Sequence, residues 1–109
     1  MIPYTTPTLT ITIQANVDLT EADEVFVTIT QGGKTVTKTG EDVAVSESGT
    51  AVSCWLTQNE SMTFKPGTAE AQVNWIYTDV ETQTTRRAAT DPVSVAIGQQ
   101  LYKRVIEDD

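Results

Sequence analysis

Apolar and polar residues alternate along most of this chain. In TLTITI, Leu9, Ile11 and Ile13 fall on one side and threonines on the other, the two-residue period of a strand with one buried face. Pro3 and Pro7 precede it, which predicts an extended N-terminus beside a sheet edge, where missing N–H groups cost little. EVFVTITQ repeats the alternation with Val25, Val27 and Ile29, and Gly32-Gly33 then separates it from KTVTKT as the tight turn of a hairpin. VAV and AVSCWL form a second pair around Glu47-Ser48-Gly49. A longer strand follows from Ala69, with Ala71, Val73, Trp75 and Tyr77 in phase. After a polar turn from Asp79 to Thr84, TTRRAAT has a weak strand pattern, and PVSVAI is expected to direct Val93, Val95 and Ile97 inward before Gly98 stops it.

Two short stretches break the alternation. Asp18 and Glu21, like Thr57 and Glu60, have the spacing at which a capping side chain and a reciprocal carboxylate satisfy the free amides of a helical turn. The second turn is too short to stand alone, and Lys65-Pro66-Gly67 ends it after Met62 and Phe64 have presented apolar side chains. It therefore predicts a crossover, one capped turn carrying the chain between two sheets. About seven short strands with turns every ten residues or so fit an all-β fold, an immunoglobulin-like antiparallel β-sandwich with one or two helical turns, a small barrel being the other closure of such a pattern. One domain is expected over residues 1–98, followed by a tail, 99–109, that frays unless a partner orders it.

Composition sharpens this picture. The chain has 109 residues, enough for one core without metal or disulfide. Seven basic residues against fifteen acidic ones give a net charge of −8, which argues against a nucleic-acid ligand. The single cysteine, Cys54, alternates with Val52 and Leu56 and is expected inside. No basic start precedes an apolar run, and nothing approaches the length of a membrane span, so neither export nor a membrane partner is predicted.

Candidate chemistry is sparse. There is no histidine, which removes triads and Cys–His dyads. The acid pairs Glu60 with Glu70 and Asp79 with Glu81 sit where turns and solvent-facing strand positions ordinarily put carboxylates, so no catalytic residue is assigned. Asp18, Glu21, Asp23 and Glu24 lack the spacing and glycine of a dedicated calcium loop, and no metal or cofactor is expected. Trp75 reads as core. Trp55, out of phase with Cys54, is expected on the outer face, as an interface, a sugar platform or a cover over the sheet edge. Arg86 and Arg87 point to opposite faces of one strand, either guarding an edge or pairing with an assembly partner. With Tyr4 and Tyr102, these residues make up the candidate interface.

The order TPTLTITI, DLTEADEVFVTITQGGKTV, VSCWLTQNESMTF, AEAQVNWIYTD and DPVSVAIGQQL resembles small proteins encoded in prophage tail modules of Firmicutes and other gut bacteria. It is also similar, more loosely, to the immunoglobulin-like N-terminal domain of phage baseplate upper proteins. One departure is that Asp79 is followed by Val80 where the pattern has glycine. The resemblance implies a non-enzymatic structural protein of a tail tip, baseplate or fibre attachment. Such a protein is assembled in the bacterial cytosol, carried in the virion tail, and held by contacts with other tail proteins or with copies of itself. A tail-assembly chaperone is a further reading of the same resemblance. From a different class comes a carbohydrate-binding or adhesion module, with Trp55 and Tyr77 or Tyr4 stacking on sugar.

Overall fold

In the computed structural model, which describes residues 1–13, 17–104 and 106, eight strands form two antiparallel sheets. The strands are β1 (Thr8–Thr12), β2 (Glu24–Gln31), β3 (Lys34–Thr39), β4 (Val43–Val45), β5 (Ala51–Trp55), β6 (Gly67–Asp79), β7 (Thr84–Ala89) and β8 (Val93–Ile97). One sheet has the order β1-β5-β4; the other runs β3-β2-β6-β7, with β8 also paired to β6. Apart from its first strand, this is the pairing of an immunoglobulin-like sandwich: β1, β5 and β4 stand as B, E and D, and β3, β2, β6 and β7/β8 as C′, C, F and G.

The alternation read in the sequence becomes the shared core. Ile11, Val52 and Cys54 of one sheet meet Val25, Val27, Ile29, Ala69, Ala71, Val73, Val95 and Ile97 of the other, and all are buried. Gly32 and Gly33 both adopt positive φ, 53° and 88°, which gives the β2–β3 hairpin its two-residue turn. Gly49, at φ 74°, closes the β4–β5 hairpin, and its carbonyl accepts a bond from the Leu19 amide. A Cβ at Gly49 would collide with the Asp18 carboxylate, so both conformation and space require glycine there.

Both capped turns form. Asp18 accepts the Thr20 amide at the head of a 3₁₀ turn, Leu19–Glu21, which buries Leu19. α1 (Gln58–Ser61) carries a full capping box, with the Thr57 hydroxyl accepting the Glu60 amide and Glu60 accepting the Thr57 amide. It links β5 in one sheet to β6 in the other, the crossover its sequence predicts, and seats Phe64 in the core.

Three expectations are corrected. Met62 is exposed, because the four-residue helix has only one inward face and Ser61 and Phe64 take it. Val93 is 40% exposed, since it opens β8 where Asp91-Pro92 has just interrupted the strand. The N-terminus is not simply extended: Tyr4 takes φ 64°, bending the chain back after Pro3, and the Met1 ammonium donates to the Ala96 carbonyl (2.7 Å) while the Gly98 amide donates to Met1 (2.6 Å). These two bonds straddle Ile97 in the manner of a parallel pair. In the tail, the Gln58 side-chain amide donates to the Ile106 carbonyl and accepts its N–H, both at 2.7 Å, while Leu101 and Tyr102 are exposed.

Candidate functional site

The thirteen-residue β6 outruns its neighbours. β2 pairs with it as far as Ile76, opposite Glu24, and beyond that point only β7 accompanies it. Tyr77–Asp79 and Thr84–Arg86 thus form a two-stranded arm past the end of the sandwich, closed by a turn in which Gln83 has φ 53° and Asp79 accepts the Glu81 amide. The Asp79–Val80 departure therefore lands in a longer turn and leaves the pairing intact. Tyr77 shares the inward phase of Val73 and Trp75 yet is exposed, because no second sheet lies opposite the arm. Trp75 is buried, 9% exposed, at the base, where inside meets arm.

Both candidate arginines are on β7, and both are exposed. Arg86 faces Asp79 across the arm at 3.5 Å, a loose contact between side chains 54% and 31% accessible. Arg87 lies on the outer face opposite Ile76, where its guanidinium donates to the Asn74 side-chain oxygen at 3.1 and 3.3 Å. It borders a depression of about 350 Å³ that Phe26, Thr28, Thr37 and Ile76 also line.

Trp55, Tyr4 and Tyr102 lie at the opposite end. Trp55 pairs with Thr8, four residues after Tyr4, and Gln100, two residues before Tyr102, donates to the Pro3 carbonyl. Trp55 is 54% exposed. Tyr4 borders a hollow of about 240 Å³ with Phe64, Lys34, Lys65 and Lys103. The candidate residues thus form two separate groups at the two ends of a body 53 Å long.

Lys38 carries no obvious signal in the sequence, although it shares the phase of Val36, which sits opposite the inward-facing Ile29. It points inward from the edge strand β3 and is buried. Its ammonium donates to both Glu60 oxygens, at 2.8 and 3.0 Å, and stands 6.0 Å from the centre of the Trp55 ring. Burial pushes the Glu60 carboxyl upward, but the bonds from Lys38 and the Thr57 amide and the Lys38 charge outweigh it, so its pKa lies below the ordinary 4.5. Edge protection by an inward charge thus belongs to Lys38, a part the sequence offered to the arginines. Cys54, one residue before Trp55, is buried, and burial pushes its thiol up, away from the reactive thiolate.

Three of the four acids weighed as a calcium site are held by neighbouring hydroxyls. Asp18 bonds Thr20, Asp23 accepts from Thr78, and Glu24 accepts from Thr39. Among the described residues no three His, Cys, Asp or Glu side chains converge as a metal site, and no helix is long and apolar enough to cross a membrane. Comparison with protein-family models, with curated proteins and with solved structures gave no match.

Proposed function

We propose that this chain is a non-enzymatic structural component of a phage or prophage tail, assembled in the bacterial cytosol, carried in the virion at the tail tip, baseplate or fibre attachment, and acting through contacts with other tail proteins. The observation that carries the reading is the arm: a ribbon past the sandwich that exposes Tyr77, Val80 and Arg86 without a second sheet to cover it, with Arg87 exposed on the outer face at its base. A stable domain gains little from exposing such a ribbon, whereas an assembly subunit needs an element that reaches its neighbour. The ordered prophage-like segments supply the kind of assembly, and the buried, protonated Cys54 and locally bonded acids are consistent with contact in place of chemistry.

The test is quantitative mass spectrometry of purified tail particles from the strain that encodes the chain. Presence at a few copies per particle is the expected result. Absence from intact particles, with the chain abundant in the assembling cell, would turn the reading to a chaperone.

The three aromatics Trp55, Tyr4 and Tyr102 at one end favour a second reading, a sugar-binding surface on which Trp55 is the stacking platform. Titrating tryptophan fluorescence with cell-wall polysaccharide decides it: a saturable shift lost in Trp55→Ala supports it, and a flat titration at millimolar sugar removes it.

A further inference from the structure

β7 has one partner, β6, and its other edge faces no strand among the described residues. Which backbone groups it presents follows from a single bond. The Thr90 amide donates to the Val73 carbonyl (2.9 Å), so Thr90 faces β6. Antiparallel pairs alternate, so Ala88, Arg86 and Thr84 also turn their N–H and C=O groups to β6, while Thr85, Arg87 and Ala89 turn theirs away. The Ile76 carbonyl agrees, since it points to the other side of β6 and accepts the Asp23 amide.

β8 continues the same edge. β2 occupies one side of β6 over Glu70–Ile76, so β7 and β8, paired at Asn74–Asp79 and Gly67–Ala71, lie in line along the other. On the β8 half that edge is already used, by Met1. The fold thus accepts added backbone on the β8 half of this edge, and among the described residues no strand pairs with the β7 half.

The side chains say what fits. Arg86 and Arg87 project to opposite faces of β7. Arg86 has only its loose contact with Asp79, and among the described residues Arg87 has no carboxylate partner. Self-pairing of two β7 strands centred on the arginines would set Arg opposite Arg, which is unfavourable. An incoming strand with acids at two adjacent positions would instead place one carboxylate on each face, opposite a guanidinium.

We infer that the free edge of β7 is a strand-addition site for an extended, acidic segment of a partner protein. The main-chain bonds come from Thr85, Arg87 and Ala89, and the choice of partner from Arg86 and Arg87. This rests on the contact reading above but not on the partner's being a tail protein.

The test uses the full chain and a capped peptide, Thr-Val-Glu-Asp-Val-Thr, with Thr-Val-Lys-Lys-Val-Thr as its control. Amide exchange is followed residue by residue by NMR. At millimolar acidic peptide, exchange at Thr85, Arg87 and Ala89 is expected to slow about tenfold, while the control peptide changes nothing. Arg87→Pro, which removes an outward donor and no bond to β6, abolishes the protection; the double variant Arg86→Glu, Arg87→Glu transfers it to the lysine peptide. Unchanged exchange at those three amides with the acidic peptide, or equal protection by both peptides, overturns the inference. Absence from tail particles together with protection by the acidic peptide would remove the tail assignment and leave the edge site standing.

Discussion

Two edge strands of the same sheet carry basic residues and use them in opposite ways. On β3, Lys38 points into the sandwich, is buried, and is held by both oxygens of Glu60 beneath Trp55. On β7, Arg86 and Arg87 stand in solvent with, among the described residues, one loose carboxylate contact between them. A strand docking on β3 would have to pass a buried charge that already has its partner; one docking on β7 would meet two charges that have no close carboxylate among the described residues. Charge on an edge strand is therefore not one signal. Its meaning depends on which face it occupies and whether the fold has already satisfied it.

The guarded end should be the one that holds stability. Phe64, seated by the crossover, is 2% exposed, and Phe64→Ala should cost about 3–5 kcal/mol in denaturant unfolding. Trp75→Ala, at the base of the arm, should cost about 3 kcal/mol, toward the low end because hollows already border the ring. A loss under about 1 kcal/mol at Phe64 would mean that the crossover is not packed as described.

Glu60→Ala removes the carboxylate facing Lys38 and half of a capping box, and is expected to cost about 2–3 kcal/mol, less than a fully buried pair because Glu60 is 28% accessible. The double variant Lys38→Met, Glu60→Gln should recover at least half of that loss, since no charge is left without its partner. If the double variant is as unstable as Glu60→Ala, Lys38 is not the reason for the loss.

The same pair sets a pH dependence. Glu60 has a folded pKa below its ordinary 4.5, so its contribution is fully present above that value and is lost as pH falls through the folded pKa. Acid unfolding followed by tryptophan fluorescence should therefore show a stability decline below pH 4.5 that is shallower in Glu60→Gln. Parallel curves for parent and variant would assign the acid loss elsewhere.

The open arm should barely respond. Arg86→Ala is expected to change stability by no more than about 0.5 kcal/mol, because its contact with Asp79 is long and its own side chain is more than half accessible. A loss above about 1 kcal/mol would show that the arm is part of the folding unit rather than an appendage.

The sequence made the strands legible because alternation reports one inward face directly: buried Ile11 and Ile13 with half-buried Leu9, or Val25, Val27 and Ile29, cannot share that face on any other period. Thr57 and Glu60 were equally readable, since a capping box is local. Whatever depends on a partner distant in the chain was not. Tyr77 keeps the inward phase but has no opposing sheet, Val93 follows a break that exposes it, and Lys38 gains its role only from Glu60, twenty-two residues away. Trp55 could be placed on the outer face by phase alone, while its nearness to the Lys38 ammonium required the crossover to fold.

By this proposal the chain makes contact through the open edge and not the guarded one. Hydrogen exchange of the free chain is to be compared with that of the chain in the tail particles to which we propose it belongs, read by mass spectrometry on peptides covering β3 and β7. New protection over Thr84–Ala89, with Lys34–Thr39 unchanged, is the predicted result. New protection over Lys34–Thr39 with Thr84–Ala89 still exchanging freely would contradict it.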